Sequence, residues 1–406
     1  MPEICTVHVM ALDDDLFILR VLSLLLEKLG ISRVTTCDNG NNALALLDNP
    51  ETMPNLIFLD LNMPEMDGVE FLRHLVQRAY SGSVVLMSGE SDRVLHTVEK
   101  LAIAHEISIL GVMKKPFSLE DLSTLLARWT TVAPHAILAP KKLYSEGELR
   151  DAIDNCQLIN YYQPKIDVGT GTVVGVETLV RWLHPVDGLV FPEQFIHVAE
   201  QHGLIDELTR IVLDNALAQL SRWKSEGLAL HMAVNLSMKN LTSPDFADSI
   251  SAKVAEAGLL PQEIVLEVTE SQLMQDIRAP LETLTRLRLK QFGLSIDDFG
   301  TGHSSLTQLR DIPFNELKID RSFTHGAWAD ATLRAIYDAS LSLARQLDMN
   351  VVAEGVEDQE DWDLLSQTGC AVAQGHYIAE PMPGADLSSW IASWSARVRS
   401  EGFAAS

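Results

Sequence analysis

The alternation of short apolar runs with longer amphipathic runs is the feature that most constrains this chain. Runs such as VHVMAL, NLIFL and SVVLM have the length and composition of buried strands, and the stretches between them have helical spacing. Alternating strands and helices are typical of an α/β fold built on parallel sheets. At 406 residues the chain exceeds the roughly 100 to 200 residues of one compact core, so two domains are expected.

The pattern changes character once along the chain. Residues 1–130 hold five strand–helix units and end in a predicted helix from Leu119 to Trp129. Residues 131–144 contain two prolines and no helical period, which indicates a linker. The alternation then continues over residues 145–400, which is about the usual size of an eight-fold barrel. We therefore predict a doubly wound α/β domain followed by a (β/α)8 TIM-like barrel.

Polar side chains follow the strands of the first domain where each apolar run ends. They are Asp13, Asp14, Asp60, Ser88 and Lys115. Open parallel sheets bind ligands at the carboxyl ends of their strands. Three carboxylates brought together repel one another unless a cation neutralises them, so the three aspartates predict one hard divalent ion, Mg²⁺ or Mn²⁺. Each Asp alone could instead cap a helix, but the match at four strand ends disfavours that alternative.

Residues 6–128 resemble a response-regulator receiver domain, because of the segment DLNMPEMDG and the lysine–proline pair after ILGVMK. The resemblance implies a flavodoxin-like fold and phosphorylation of Asp60 by a histidine kinase or phosphotransfer protein. It assigns the switch roles to Ser88 and Lys115. Val112 stands where receivers often have Tyr or Phe, which argues against the usual aromatic switch.

The second domain repeats the pattern on a larger scale. Its successive apolar runs end in a set of polar residues: Glu177, Asn235, Glu267, Asp297, Asp298, Lys318, Glu354 and Gln374. In a β/α barrel such strand ends converge on one face, however far apart they lie in sequence. The sequence therefore predicts one polar site at that face.

Five carboxylates and one carboxamide form an oxygen-rich set that suits Mg²⁺ or Mn²⁺ rather than Zn²⁺. Five negative charges exceed what one divalent ion neutralises, so we predict two ions about 3.5 to 4 Å apart, bridged by a carboxylate such as Asp297. Such a pair suits phosphodiester hydrolysis. Consecutive strand residues point to opposite faces, so Asp297 and Asp298 both reach metal only if their strand ends there.

Residues 145–395 resemble the EAL family of cyclic di-GMP phosphodiesterases. The matching segments, in chain order, are YYQPKID, GVETLVRWLHP, VNLS, LEVTES, IDDFGTGHSSL, LKIDRSF, VVAEGVE and QGHYIAEPMP. The signature tripeptide has Thr178 where the family usually has Ala, and His303 replaces the aromatic residue usually seen after GTG. Neither change removes a predicted metal ligand.

The resemblance implies roles for particular residues. It assigns metal binding to Glu177, Asn235, Glu267, Asp297, Asp298 and Glu354. Lys318 would hold the attacking water, and Glu354 is either the general base or a metal ligand alone. Substrate contacts fall to Gln163, Leu179, Arg181 and Gln374. The forked donors of Arg181 suit phosphate oxygens. Glu270 could be a plain charge at the start of a helix, but the resemblance favours a role as anchor of the loop of residues 297–306.

Acidic residues number 56 against 31 basic ones, which gives a net charge of −25. This charge repels nucleic acid and anionic membranes unless a local patch reverses the field, and the sequence has no basic helix-turn-helix, so the alternative of a DNA-binding regulator is strongly disfavoured. No apolar run approaches the roughly 18 residues of a membrane span. The first apolar stretch is broken by three aspartates and has no basic region before it, unlike a secretory signal. Four scattered cysteines without CxxC spacing fit a reducing compartment, so we expect a cytoplasmic protein.

Together these features predict a two-component response regulator. Its EAL domain would hydrolyse cyclic di-GMP to linear 5′-pGpG by two-metal-assisted attack of water, regulated by phosphorylation of Asp60. The alternative is a catalytically silent EAL domain that senses cyclic di-GMP and acts as an interaction module. A homo-oligomer, either a dimer or a tetramer, is expected.

Overall fold

The computed structural model describes most of the chain, namely residues 7–49, 52–78, 80–89, 95, 97–98, 101–102, 107–131, 142, 144–269, 278–301 and 306–401. The chain divides into two compact units, residues 1–141 and 142–406. The ends of the two domains and of the linker, as proposed from the sequence, stay predictions.

The first unit contains a five-stranded sheet in the order β2-β1-β3-β4-β5, with all neighbouring strands parallel. Its strands are β1 (His8–Leu12), β2 (Arg33–Cys37), β3 (Leu56–Asp60), β4 (Ser83–Ser88) and β5 (Ser108–Lys114). Its described helices are α1 (Leu16–Lys28), α2 (Gly40–Leu47), α3 (Gly68–Gln77) and α4 (Leu119–Thr131). The predicted doubly wound sheet is confirmed.

Helices cover both faces of this sheet. On one face, Val9 and Phe58 pack with α1 and α4, and on the other, Met10 and Ile57 pack with α2 and α3. Strands buried on both faces must be apolar at every position, which explains the continuous apolar runs in the sequence. The polar residues are left to the ends of the strands, where Asp60 closes β3.

The second unit is a barrel with its helices outside. Its strands are β6 (Leu158–Asp167), β7 (Val173–His184), β8 (Gly188–Val190), β9 (His231–Asn235), β10 (Ile264–Thr269), β11 (Gly293–Phe299), β12 (Glu316–Ile319), β13 (Asn350–Ala353), β14 (Val372–Ala373) and β15 (Met382–Pro383). Its described helices are α5 (Glu146–Asp154), α6 (Ile196–Gln201), α7 (Ile205–Ser225), α8 (Met238–Leu241), α9 (Phe246–Glu256), α10 (Arg278–Leu289), α11 (Leu306–Asp311), α12 (Arg321–Thr324), α13 (Ala331–Gln346), α14 (Gln359–Thr368) and α15 (Leu387–Glu401).

Eight strands close the barrel, in the order β6-β14-β13-β12-β11-β10-β9-β7, and the pairing of β6 with β7 completes the ring. The TIM-like barrel predicted from the sequence is confirmed, with one departure from an all-parallel ring. Strand β6 runs antiparallel to both of its neighbours in the ring, β7 and β14. The register of β6 with β7 pairs Gln163 with Glu177 and so brings both residues to one level of the barrel.

Helix α5 opens the second unit with a capping box. The Ser145 side chain accepts from the backbone N–H of Glu148, and the Glu148 side chain accepts from the backbone N–H of Ser145. Such a cap satisfies backbone donors that the first helical turn leaves without partners. Among the described residues, no helix combines the length and apolar character that a membrane crossing requires.

Candidate active site

The first unit holds an acidic pocket at the carboxyl edge of its sheet. Asp13 and Asp60 are buried, and Lys115 Nζ lies 2.6 Å from Asp13 Oδ2 and 2.7 Å from Asp60 Oδ1. Carboxylate oxygens of Asp13, Asp14 and Asp60 lie within 4.8 Å of one another. Burial raises the pKa of Asp13, and the nearby Lys115 opposes that rise. The donor set fits one hard divalent ion, because carboxylate oxygens are the ligands that such ions prefer.

The two predicted switch residues lie beside this pocket. Ser88 is the last residue of β4 and is fully buried. The backbone N–H of Lys115 donates to the carbonyl of Ser88 at 3.1 Å, so the two residues share one corner of the sheet edge. Val112 lies in β5 and packs partly buried against one face of the core.

In the barrel, the ammonium of Lys318 lies among four carboxylates. Lys318 Nζ is 2.7 Å from Glu354 Oε1, 3.0 Å from Asp297 Oδ1, 3.2 Å from Glu267 Oε2 and 3.3 Å from Glu177 Oε2. The side chain of Lys318 is 1% exposed. Burial alone would lower the pKa of Lys318, but the four carboxylates raise it well above its ordinary value. The lysine is therefore a fixed positive charge at the centre of this cluster.

Glu177 is held by amides as well as by Lys318. Asn235 Nδ2 donates to Glu177 Oε1 at 3.1 Å, and Gln374 Nε2 donates to Glu177 Oε2 at 2.7 Å. Gln374 also donates to Gln163 Oε1 at 2.9 Å. Although burial opposes it, the charge of Lys318 and these hydrogen bonds lower the pKa of Glu177. The structure thus brings together residues that lie far apart in the sequence.

Asp297 and Asp298 reach the same site by a route that the sequence did not predict. Strand β11 does not end at Asp297, as we had expected to be necessary, but continues to Phe299. Its pairing with β12 shifts between Ile296 and Phe299, and Asp298 has a φ of +55°. This bulge reverses the usual alternation of side chains, so oxygens of Asp297, Asp298 and Glu354 lie within 4.8 Å of one another.

The expectation that Glu177 ends a strand was also wrong. Strand β7 continues seven residues beyond Glu177 to His184, because it pairs with β6 on one side and forms a hairpin with β8 on the other. Leu179 and Arg181 follow Glu177 at intervals of two residues, so all three project from the same face of the strand. The predicted substrate-contacting residues therefore extend the site along β7.

The cluster has the oxygen ligands that divalent cations prefer. One group of oxygens within 4.8 Å comes from Glu177, Glu267 and Asp297, and a second comes from Asp297, Asp298 and Glu354. The two groups share Asp297. Burial raises the pKa of Glu267 to about 7, of Asp298 to about 6 and of Glu354 to about 8. Repulsion among neighbouring carboxylates adds to this effect of burial, and hard cations would offset that repulsion.

Arg181 lies between two aromatic rings. Its Cζ is 5.0 Å from the ring centre of Phe191 and 5.7 Å from that of Tyr161, and its Nη1 donates to the carbonyl of Val180 at 2.9 Å. These contacts fix the plane of a guanidinium that is largely buried. Neither aromatic residue was predicted from the sequence, although the two-residue spacing of Tyr161 and Gln163 on β6 indicates that they share a face.

Lys165 was not predicted from the sequence either; it is buried inside the barrel, and its Nζ lies 2.8 Å from Glu267 Oε1. Its spacing of two residues from Gln163 in QPKID could have revealed it. Glu270 and His303 lie outside the described residues, as does part of the loop of residues 297–306. The anchoring role of Glu270 therefore stays a prediction.

Two family models match the chain. Residues 9–127 match the response regulator receiver domain, and residues 146–381 match the EAL domain. The cyclic di-GMP phosphodiesterase RocR of Pseudomonas aeruginosa is 34% identical over 383 residues, which cover 93% of this chain and 96% of RocR. The chain therefore belongs to the EAL domain family and carries a receiver domain before its EAL domain, as RocR-like response regulators do. Both resemblances inferred from the sequence are confirmed.

MucR of Pseudomonas aeruginosa, a bifunctional diguanylate cyclase and cyclic di-GMP phosphodiesterase, is a further relative. It is 40% identical over 255 residues, which cover 63% of this chain and 37% of MucR. A solved structure of the PaMucR phosphodiesterase in complex with c-di-GMP covers 59% of this chain and 98% of its own. The two share 41% identity with a TM-score of 0.57, which supports the barrel architecture.

Proposed function

We propose that this protein hydrolyses cyclic di-GMP to linear 5′-pGpG and that phosphorylation of Asp60 regulates the reaction. The observation that carries the proposal is the cluster of four carboxylates around Lys318, with two overlapping groups of oxygens that share Asp297. Relatives named as cyclic di-GMP phosphodiesterases, one of them similar over nearly the whole chain, support the choice of substrate.

Six residues would hold the cations, which we take to be two Mg²⁺ or Mn²⁺ ions: Glu177, Asn235, Glu267, Asp297, Asp298 and Glu354. Bound ions of this kind supply Lewis-acid activation of water and neutralise charge on the phosphate. In the reaction, a water oxygen bonds to one phosphorus and the bond from that phosphorus to the ribose 3′ oxygen breaks. The departing oxygen gains a proton, and the product keeps the phosphate on the 5′ side.

Lys318 and Glu354 would bind and orient the attacking water. Lys318 Nζ and Glu354 Oε1 are 2.7 Å apart, so a water near one is within reach of the other. Lys318 donates hydrogen bonds and fixes the position of the water, and its charge is held by the surrounding carboxylates. Glu354 acts as general base or as metal ligand alone, and both roles remain compatible with its place beside Lys318.

Substrate binding would involve the residues that extend the site along β6 and β7. Arg181 presents a guanidinium of fixed plane, which suits a phosphodiester with two negative charges. Gln374 Oε1 is buried and has no hydrogen-bond partner among the described residues, so it can accept from an N–H of a guanine base. Leu179 lies partly buried between Glu177 and Arg181 on the same strand face and offers an apolar surface to the substrate.

The receiver would control this activity from its own acidic pocket. Asp60 is the phospho-acceptor, and one Mg²⁺ or Mn²⁺ ion would bind Asp13, Asp14 and Asp60. A histidine kinase or phosphotransfer protein would supply the phosphoryl group. We further propose that the protein acts in the cytoplasm as a homo-oligomer, a dimer or a tetramer.

A turnover assay tests the proposal directly. Purified protein with Mg²⁺ or Mn²⁺ is incubated with cyclic di-GMP, and the products are separated by chromatography. We expect 5′-pGpG from the wild type and none from Glu177→Ala, because the substitution removes a ligand that Asn235, Gln374 and Lys318 all contact. A wild-type protein that binds cyclic di-GMP but never cleaves it, with or without a phosphate donor, would instead be a sensor.

A further inference from the structure

A second layer of charge lies inside the barrel beneath the catalytic cluster. Glu316 is two residues before Lys318 on β12, and Lys165 is two residues after Gln163 on the antiparallel strand β6, so both point inward one level below the site. The side chain of Lys165 is 7% exposed and that of Glu316 is 14% exposed. Such barrels usually fill this level with branched apolar residues, and burying charge is costly unless it is paired.

Glu267 is the carboxylate that pairs with Lys165 in this lower layer. Lys165 Nζ lies 2.8 Å from Glu267 Oε1 and 3.6 Å from Glu316 Oε1. The other oxygen of Glu267, Oε2, lies 3.2 Å from Lys318 Nζ in the catalytic cluster. Each carboxylate oxygen of Glu267 therefore contacts a different lysine. The carboxylate cannot rotate without breaking the short contact between Oε1 and Lys165.

We propose that Lys165 is a positioning residue, whose contact with Glu267 Oε1 turns Glu267 Oε2 towards Glu177 and Asp297 in the set of oxygens that would hold the cations. This inference rests on the proposed function, since it takes Glu267 as a metal ligand. Partners that orient metal ligands in this way typically contribute about 10- to 100-fold to metal affinity.

Glu316 has to be considered in the choice of a variant that tests the proposal. Its Oε1 has no hydrogen-bond partner among the described residues, and the nearby Ser295 Oγ has none either. Replacing Lys165 alone would leave Glu267 and Glu316 as buried like charges and could prevent folding for that reason. The double variant Lys165→Met/Glu316→Gln removes one positive and one negative charge, so the buried charge stays balanced and the fold is kept.

The experiment measures Mn²⁺ binding to the full chain by isothermal titration calorimetry without substrate, with Asp13→Asn/Asp14→Asn in every protein so that the receiver cluster does not contribute to the signal. We expect the dissociation constant of Lys165→Met/Glu316→Gln to rise about 10- to 100-fold, with a metal-free melting temperature near that of the wild type. Glu316→Gln alone keeps the contact between Lys165 and Glu267 and should bind Mn²⁺ more tightly than the double variant. Lys224→Met is the matched control, because Lys224 is also 2.8 Å from a glutamate, Glu263, but is 41% exposed.

The outcomes separate this inference from the proposed function. If the wild type binds Mn²⁺ and the double variant binds it equally well, Lys165 does not position Glu267, and the proposed function stands. If the wild type binds no Mn²⁺ in the barrel, the metal site fails and this inference fails with it. A purely structural role for Lys165 would lower the melting temperature of the double variant without changing its Mn²⁺ affinity, and that result also overturns the proposal.

Discussion

At the scale of the residue, Asp298 joins an unusual backbone conformation to the chemistry of the site. Its φ of +55° lies in the left-handed region, which costs most L residues about 1 to 2 kcal/mol. Asp and Asn tolerate that region best, because their short side chains can bond locally. The bulge on β11 therefore selects a residue type that is also a suitable ligand.

Substitutions at Asp298 can separate the effect of losing the charge from the effect of straining the backbone. Asp298→Asn keeps a residue that tolerates the conformation but removes the charge, so we expect a melting temperature near that of the wild type and loss of turnover. Asp298→Val adds a β-branched side chain and should also destabilise the protein by about 1 to 2 kcal/mol. Thermal melts and chromatography of pGpG check both. Wild-type turnover by Asp298→Asn would show that this carboxylate is not a ligand.

The convergence of these residues on one face could be predicted from sequence, because each follows or lies within an apolar run and the strand ends of a barrel meet there. Their pairing could not be predicted. Lys165 looks like any polar residue in a strand until the direction of β6 is known, and that direction depends on long-range pairing. The bulge that turns Asp297 and Asp298 to one site likewise has no signature in the sequence.

At the scale of the element, the loop after β14 lies close against the loop after β13. Val356 N donates to Gln374 O at 3.1 Å, and Tyr377 N donates to Val356 O at 3.0 Å. Gly375 lies between these contacts, and a Cβ there would be 2.2 Å from Val356 O. A side chain at this position would separate the two loops, and Gln374 would move away from Glu177.

We therefore expect Gly375→Ala to destabilise the protein by about 1 to 3 kcal/mol, as overpacking does, and to lower turnover. Gly147→Ala is the matched control, because Gly147 lies exposed in the first turn of α5 with its nearest neighbouring atom 4.0 Å from an added Cβ. It should stabilise the protein by about 0.5 kcal/mol. Urea unfolding measures both. Equal unfolding midpoints for Gly375→Ala and the wild type would contradict the close approach.

Whether a segment is a helix or a strand could be predicted from the sequence more accurately than the direction in which a strand runs. Helix α4 begins at Leu119 as predicted and ends at Thr131, two residues beyond the predicted Trp129. The apolar stripe of this helix fixes its type, because Leu122, Leu125 and Leu126 all join the core of the first unit. An apolar run identifies a buried strand, but a strand has the same apolar run whether its neighbours are parallel or antiparallel. The antiparallel direction of β6 therefore could not be predicted from the sequence.

At the scale of the whole molecule, each of the two units carries an acidic cluster around a lysine, which is partly buried in the first unit and fully buried in the barrel. In the first, Lys115 already contacts Asp13 and Asp60. A phosphoryl group on Asp60 would add negative charge and new acceptor oxygens at that point, so Lys115 and its contacts must rearrange. An effect on the barrel then requires an element with two arrangements that both sites influence.

We expect a small-molecule phosphate donor to change the turnover of the full chain but not that of Asp60→Asn. A coupling free energy of about 1 to 3 kcal/mol corresponds to a change of about 5- to 150-fold. Initial rates of pGpG formation with and without the donor provide the measurement, and Asp60→Asn should retain the basal rate. An equal response from both proteins would place the effect of the donor outside Asp60.

The loop of residues 297–306 is the element that we expect to transmit this signal. It begins at the predicted ligands Asp297 and Asp298, so any shift of the loop disturbs the site at once. The resemblance to EAL domains gives Glu270 the role of its anchor, and Glu270→Ala should lower turnover and reduce the response to the phosphate donor. Circular dichroism checks that the variant is folded. If Glu270→Ala keeps both the wild-type rate and the wild-type response, the signal reaches the barrel by another element.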